Sequence, residues 1–542
     1  MPPLIAQLLY NRGVRDQSQA RAFLDTSWAG SGDPFLLPNA DRAVDRLARA
    51  IDGRETIAIF GDFDADGVTA SAVLYEGLRP LGVRVVPYIP DRVEEGHGLN
   101  LKAIQYLKGL GVTVLVTADC GITSVAEVAA AADLGMDTII TDHHSPPASL
   151  PDAVALVNPK LKGASLALAD LAACGVAYKL MEALYLRLGR DHDESLLEFV
   201  ALGTVADLAP MGPANRALVR RGIGLLNRTS KPGLLALLKV SGMSPGDVDT
   251  EAIAYTLGPR INAPGRIDHA DASYQLLVST TPEEAAPLAA RLNERNAQRQ
   301  QITREILEDV KRKLEQPLRS LIMVGDAAYP PGVVGLVAGK LTEEYHRPSI
   351  VFQEGPVESR ASCRSIPEFN IIEALRQCDG LFSRYGGHAQ AAGFTIATTR
   401  LAELRRRLTE IAARALDPAA FIPRIRVDAH VRLERLTGDV IRAMRDLAPH
   451  GPINPAPTLL CRGVEVKDFK AMGAEGQHVR LKLKAGGVTW SAVAFNTDLG
   501  ETPPAALIDL VFTLSVNRWN GSEGLQMRVL DMAPSSPAPR LL

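Results

Sequence analysis

From residue 56 onward, short β-branched runs alternate with longer amphipathic ones. TIAIF at 56–60, VRVVPYI at 83–89, VTVLVT at 112–117 and DTIIT at 137–141 read as strands. VTASAVLYEGL at 68–78 and TSVAEVAAAADLG at 123–135 read as the helices between them. This β-α-β-α order predicts parallel strands with crossover helices, a doubly wound α/β unit whose ligands gather beyond the carboxyl ends of the strands. A long polar helical pattern follows at 288–316 and stops at Pro317, as a connecting helix between two domains would. Beyond it LIMVGD at 321–326 and SIVFQ at 349–353 flank a helix at 332–345, giving a second α/β unit that ends near residue 420. From Arg424 the character changes. RIRVDAHVRL (424–433), HVRLKLKAGGVTWSAVAF (478–495), LIDLVFTLSVNRWNG (507–521) and LQMRVLDM (525–532) predict a small antiparallel β-barrel.

Composition narrows the class without naming it. A chain of 542 residues, 46% hydrophobic and 22% charged, has the make-up of a soluble globular protein of several domains. Cys120, Cys174, Cys363, Cys378 and Cys461 form no CxxC pair, and the first residues lack a basic stretch, an apolar core and a cleavage site; both point to a reducing cytoplasm. No run approaches the ~18 apolar residues of a spanning helix, since even the alanine-rich run at 125–134 carries Glu127 and Asp133. The net charge of −3 means that a polyanion would have to be met by local positive patches. Arg405 to Arg407 and the arginines at 424–445 are such clusters, although runs of this kind are ordinarily solvated helix faces.

The chemistry concentrates at three strand ends. After the first strand comes Gly61-Asp62-Phe63-Asp64-Ala65-Asp66-Gly67, three carboxylates in five residues that repel unless a cation sits among them. An EF-hand would need Glu at the twelfth position, where Val73 stands, and a helix on the approach. The strand at 112–117 leads to Ala118-Asp119-Cys120-Gly121, and that at 137–141 to Asp142-His143-His144. One aspartate there would be an ordinary cap; three acidic and imidazole-bearing ends on one sheet edge predict a metal site. The dense oxygen donors suit Mg²⁺ or Mn²⁺, the added imidazoles suit Mn²⁺ better than an all-oxygen shell would, and bridging carboxylates allow two divalent cations that activate water and steady a leaving oxygen.

GDFDADGVTASAVL, TADCG, TDHH and ALGTVADLAPM resemble, in order and spacing, the four motifs of the DHH phosphoesterase superfamily. The resemblance implies metal ligands at Asp62, Asp64, Asp66, Asp119, His143 and Asp207, with Asp142 and His144 supporting or catalytic. Phe60 stands where many relatives have a histidine, a place that Asp62 would take over. GPRINAPGR at 258–266, SCRS at 362–365 and GGHAQAAG at 386–393 resemble the substrate half of the single-strand-specific exonucleases in this superfamily. They imply phosphate contacts from Arg260, Asn262, Arg266, Ser362, Arg364, Gly386 and Gly387, with His388 at the scissile phosphate. Arg260 and Arg266 could equally form interdomain salt bridges, and GGHAQAAG could equally be a tight turn entering a small-residue helix. Tyr329-Pro330 departs from the Trp-His of relatives. The terminal segment resembles an OB-fold, with Arg480, Lys482, Lys484, Trp490, Phe495 and Trp519 as candidates for the single strand.

The expected organisation is an N-terminal extension at 1–50, a DHH domain at 51–280, the connecting helix at 281–317, a DHHA1-type domain at 318–420 and an OB-fold at 421–542. The expected activity is metal-dependent 5′-3′ hydrolysis of single-stranded DNA to mononucleotides, in repair and recombination. The implied associations are a monomer cooperating with a single-strand-binding protein and a RecQ-type helicase, away from membranes. An oligonucleotide or cyclic-dinucleotide phosphodiesterase and an inactive DNA-binding scaffold are the competing readings.

Overall fold

The computed structural model describes residues 1–25, 32–92, 94–473, 477–495, 497, 504–519 and 522–535, except for the side chains of 516–519 and 522–523. Strands β1 (Thr56–Gly61), β2 (Arg84–Tyr88), β3 (Val114–Ala118), β4 (Asp137–Thr141) and β5 (Ala155–Val157) form one parallel sheet in the order β2-β1-β3-β4-β5. β1 and β3 are sandwiched between helices on both faces, which is why they read as continuous apolar runs. Alternation within β1 sends Ile57 and Ile59 to the larger core, with helices Ala65–Leu78, Ala173–Arg187 and Leu197–Ala206. Ala58 and Phe60 go to the smaller core, beside helices Leu101–Gly109 and Val125–Asp133. Phe60 stacks on Tyr88 there, with ring centroids 5.4 Å apart.

Helix Pro282–Lys313 follows, 32 residues long. Its first half gives Ala285, Ala289 and Leu292 to the core of the first domain, and its second half gives Ile306 and Val310 to the next. One rigid element thus sets the distance and angle between the two domains, as its polar pattern suggested.

The second domain is a mixed sheet, with β6 (Ile322–Asp326), β7 (Ser349–Gln353), β8 (Glu358–Arg364), β9 (Phe382–Gly387) and β10 (Ala391–Ala397) in the order β6-β7-β8-β10-β9. Only β6 and β7 run parallel. The alternative of a helix after Gly386-Gly387 is therefore wrong. Ala391 and Ala392 open β10, because the β-branched and aromatic residues after them bury every second side chain against β8 and helix Ile371–Arg376. Gly387, at φ 139°, makes the hairpin possible, since a Cβ there would lie 2.4 Å from the Ala391 carbonyl.

The last domain holds β11 (Ala429–His430), β12 (Leu459–Met472), β13 (His478–Ala485), β14 (Val488–Ala494), β15 (Leu507–Trp519) and β16 (Ser522–Pro534). β12 also pairs with β15, which closes a five-stranded barrel. Its pairings are antiparallel except between β14 and β16. The stretch 424–433 supplies only the two-residue β11, which adds to β12 from outside the barrel ring. The first helices, Pro3–Asn11 and Gln17–Leu24, pack Ile5, Leu8, Leu9 and Ala20 into this same core, more than 400 residues away in sequence.

Candidate active site

The parallel register carries past the strand ends and gathers their loops. The amide of Asp62 donates to Ala118 O at 3.0 Å, that of Asp119 to Thr141 O at 3.1 Å and that of Asp142 to Val157 O at 3.2 Å. Asp62, Asp119 and Asp142 therefore stand side by side at the carboxyl edge, as neighbouring parallel strands require. Asp119 has a left-handed backbone at φ 67°, a strained turn of the kind found at functional sites. Asp64 caps helix Ala65–Leu78 through the amides of Asp66 (3.0 Å) and Gly67 (3.1 Å). Asp66 accepts from the amides of Ala173 (2.7 Å) and Cys174 (3.0 Å), at the positive start of a second helix.

Asp142 is saturated by the protein. One oxygen accepts from the amides of His143 (2.7 Å) and His144 (2.9 Å) and lies 2.8 Å from His144 Nδ1; the other accepts from the Ile122 amide at 3.0 Å. This is the arrangement of a positioning residue. Its neighbour His143 turns Nε2 toward three carboxylates: Asp119 at 3.2 Å, and Asp66 and Asp207 at 3.8 Å. Asp207 comes from the C-terminal end of helix Leu197–Ala206. The carboxylate and imidazole groups make three sets whose donor atoms lie within 4.8 Å of one another: Asp62, Asp64 and Asp119; Asp66, His143 and Asp207; and Asp119, His143 and His144.

The electrostatics of these sets ask for positive charge. Burial, reinforced by Asp66, Asp64, Asp62 and Asp142, pushes the Asp119 carboxyl well above the ordinary range. Burial with Asp66 and Asp64 pushes Asp207 up to about 9. The Asp119 Oδ1 atom is buried with no hydrogen-bond partner. Hard oxygen donors crowded together, one of them orphaned, with an imidazole at their centre, fit a divalent cation.

His97, which sequence reasoning missed, lies 2.8 Å from Asp62 through Nδ1, and that contact lifts its pKa to about 8. It comes from the loop after β2, another carboxyl end, and that place on the sheet edge was the one signal available.

Across the cleft, Arg266 is half-buried. Burial and the charges of Arg92, Arg299 and Arg364 press its pKa down to about 9, and it is within electrostatic reach of Asp64. Arg266 donates to Gly332 O at 3.2 Å, at the start of helix Pro331–Tyr345, whose N-terminus has no side-chain cap. Ser362 and Arg364, on β8, lie against Gly335 of that helix. Arg92 and Arg299 were also missed: neither lies in a motif, and Arg299 is one of several arginines along the connecting helix. Arg260 is held by Asn293 Oδ1 (3.0 Å) and Thr256 O (2.7 Å). Asn262 accepts from the Ala65 amide at 2.8 Å, so it braces the first aspartate loop. Gly386, Gly387 and His388 form the exposed tip of the β9–β10 hairpin, and the His388 ring makes no hydrogen bond or ion pair with another described residue. Tyr329 is buried, with its hydroxyl 2.5 Å from Asp309 on the connecting helix, so this loop is tied to the second half of that helix.

On the barrel, Arg480, Lys482 and Lys484 alternate outward along β13, while Trp490 pairs across from buried Leu483 and packs on the core. Phe495 is exposed beside His478. The side chain of Trp519 lies outside the described residues.

A parallel sheet with this acidic edge, a bridging helix and a second arginine-bearing domain define a DHH-type phosphoesterase with an appended barrel. Residues 56–204 match the DHH family, N-terminal domain, residues 318–414 the DHHA1 domain and residues 427–531 the RecJ OB domain. The chain is 39% identical to the single-stranded-DNA-specific exonuclease RecJ of Bacillus subtilis over 98% of its own length and 68% of the relative's. It is 33% identical to RecJ of Salmonella typhimurium, over 98% and 96%. The crystal structure of Thermus thermophilus RecJ in complex with Mn²⁺ superposes with a TM-score of 0.85 at 29% identity, over 99% of this chain and 76% of that one. The same protein in complex with Mg²⁺ gives 0.77 at 27% identity, over 99% and 75%. The chain belongs to the RecJ family.

Proposed function

We propose that the chain is a metal-dependent exonuclease specific for single-stranded DNA, acting 5′ to 3′ and releasing 5′-mononucleotides. The observation that carries this reading is the three donor sets linked through Asp119 and His143 at adjacent strand ends, with half-buried arginines across the cleft. Asp62, Asp64, Asp66, Asp119, His143 and Asp207 would hold two divalent cations, Mn²⁺ or Mg²⁺. Such a pair, when bound, supplies an activated water and positive charge for the leaving oxygen.

The rest of the work falls to the chain's own residues. Asp142 fixes the His143-His144 backbone and orients the His144 ring. Burial alone would lower the pKa of His144; the Asp142 hydrogen bond outweighs it and raises the pKa, which favours this ring as the proton donor to the leaving oxygen. Arg266, Arg364 and Ser362, with the uncapped start of helix Pro331–Tyr345, bind phosphate oxygens of the strand, and Arg92 and Arg299 add charge. Arg260 and Asn262 position that loop and the aspartate loop. His388, with Gly386 and Gly387, presents an unengaged ring and open backbone from its hairpin tip to the scissile phosphate. The outward Arg480 and Lys482, with Trp519, hold the strand on the barrel. The setting is repair and recombination in the cytoplasm, as a monomer working with a single-strand-binding protein and a RecQ-type helicase.

The test is release of labelled mononucleotide from 5′- and 3′-labelled single strands, duplex and RNA, in Mn²⁺, Mg²⁺ and EDTA. Early metal-dependent release from 5′ ends of single-stranded DNA is the expected result. Cleavage confined to very short oligomers, or binding without cleavage, would overturn it.

A further inference from the structure

A second charged site lies away from the metal edge, at the seam where the N-terminal helices, the first domain and the barrel meet. A cavity of about 550 Å³ opens there. Arg12, Arg216 and Arg220 line it, together with apolar Phe23, Met211 and Ile453. Gly212 and Pro213 line it as well; they begin helix Pro213–Leu226, 14 residues long, and no side chain caps that N-terminus. The start of a helix carries positive potential and unpaired amides.

The arginines add to that charge, and their hydrogen bonds go to carbonyl and amide oxygens instead of carboxylates. Arg216 is only 5% exposed. Its Nη atoms donate to the carbonyls of Phe23, Asp446 (2.6 Å) and Ala448 (3.1 Å), and its Nε is buried with no partner. Arg220 reaches the same two barrel carbonyls, of Asp446 (2.7 Å) and Ala448, and its Nη1 is also buried and unpartnered. Arg12 donates to Asn454 Oδ1 at 2.8 Å and to the carbonyls of Leu8 and Pro455. Carbonyl dipoles orient these guanidiniums but do not cancel their charge. Asp446 and Asp428 attract them from a distance, and neither carboxylate takes a hydrogen bond from them. Asp25, the acidic residue in the lining, is exposed, and the half-buried Asp170 stands beside Gly212 at the helix start. Next to this cluster the half-buried His450 has a buried, unpartnered Nδ1, and its pKa is driven down to about 4 by desolvation and by Arg12, Arg216 and Arg220. Positive groups packed this closely in a partly buried seam carry a desolvation cost that a counter-anion would offset.

We propose that this seam is a binding site for a phosphate-bearing anion, which engages Arg216, Arg220, Arg12 and the first amides of helix Pro213–Leu226. Two sources carry that chemistry. One is inorganic phosphate; the other is a 5′-mononucleotide, whose sugar and base would rest on Phe23, Met211 and Ile453. Only the second source rests on the exonuclease reading, because it is the product of that reaction. The occupant would lock the barrel and the N-terminal helices onto the catalytic domain. The seam is joined to the metal edge by a short path: the Met211 amide, four residues after Asp207, donates to Pro452 O of the barrel domain at 2.8 Å.

Calorimetric titration and thermal melting of the full chain in EDTA, with inorganic phosphate and separately with a deoxynucleoside monophosphate, test the site. Two variants outside the catalytic machinery accompany the wild type. Ala217→Glu places a built-in carboxylate in the cavity lining, and Arg12→Gln removes a peripheral donor. The wild type should bind with a Tm rise of a few degrees at saturation. Affinity should fall roughly tenfold or more in both variants, the loss expected for a removed charged contact. Ala217→Glu should melt higher than wild type without ligand, and both variants should keep their exonuclease rate. A response to the nucleotide exceeding that to phosphate supports the site with product as its source, and equal responses support it with free phosphate. Unchanged affinity in both variants would overturn the proposal by moving the ligand to the catalytic cleft, as would the lack of any response at millimolar concentrations. If Ala217→Glu does not fold, Arg12→Gln decides alone.

Discussion

The sheet edge and the domain seam are opposite solutions to one electrostatic problem. At the edge, Asp62, Asp64, Asp66, Asp119 and Asp207 crowd carboxylates around His143. At the seam, Arg12, Arg216 and Arg220 surround His450. In both, burial makes the collected charge costly. The titration of the neighbours records this, Asp207 being pushed up to about 9 and His450 down to about 4. The difference lies in what the backbone does. At the edge, amides of two helix starts aim at Asp64 and Asp66 and hold a preformed donor set. At the seam, carbonyls from beyond the end of helix Gly438–Arg445 hold the arginines and join two domains. The first arrangement builds a reaction centre, the second a joint.

The largest effect should come from breaking the edge. Asp119→Ala or Asp64→Ala should reduce exonuclease turnover by roughly a thousandfold or more. In EDTA Asp64→Ala should melt below the wild type, because it removes the cap of helix Ala65–Leu78; Mn²⁺ should raise the Tm of the wild type and barely move that of either variant, and a Mn²⁺-induced rise of wild-type size in both would contradict the metal assignment. Next, Asp142→Asn weakens the hold on His144, and steady-state assay should find activity down roughly 10- to 100-fold. His97→Asn should be milder, weakening Mn²⁺ binding several-fold by titration calorimetry, because it leaves every proposed ligand in place.

The smallest effects are in pH dependence, and their signs differ. In metal-free protein Asp207 keeps a proton up to about pH 9 that the unfolded chain releases near pH 4, so stability should fall as pH rises across that window. Denaturant melts in EDTA at several pH values would show this slope, and saturating Mn²⁺ should remove it. His450 works the other way. Its folded pKa, near 4, lies below the unfolded value of 6.5, so the stability it contributes is complete above pH 6.5 and is lost as pH falls toward 4. His450→Gln should flatten that acid limb. An unchanged limb would assign it to another group, with His192, also pushed down to about 4, next in line.

The GDFDADG loop, TADCG and TDHH were legible because each motif is contiguous and follows an apolar run whose end it marks. Parallel pairing then leaves adjacent loops nowhere else to go. The connecting helix was equally legible, from its length and polar pattern. Local composition misled at GGHAQAAG, where small residues suit a helix and only pairing with β8 decides for a strand.

His97, Arg92 and Arg299 were illegible for a different reason. Each is one ordinary residue in its own segment, and it acquires meaning from groups scores or hundreds of residues away. The packing of Ile5 and Leu8 into the barrel belongs to the same class. The sequence alone therefore determined the chemistry of the metal edge, since local spacing and strand periodicity are short-range properties. Only the tertiary structure decided which arginines gather across the cleft and at the seam, because burial and charge density are properties of what the folded chain brings together.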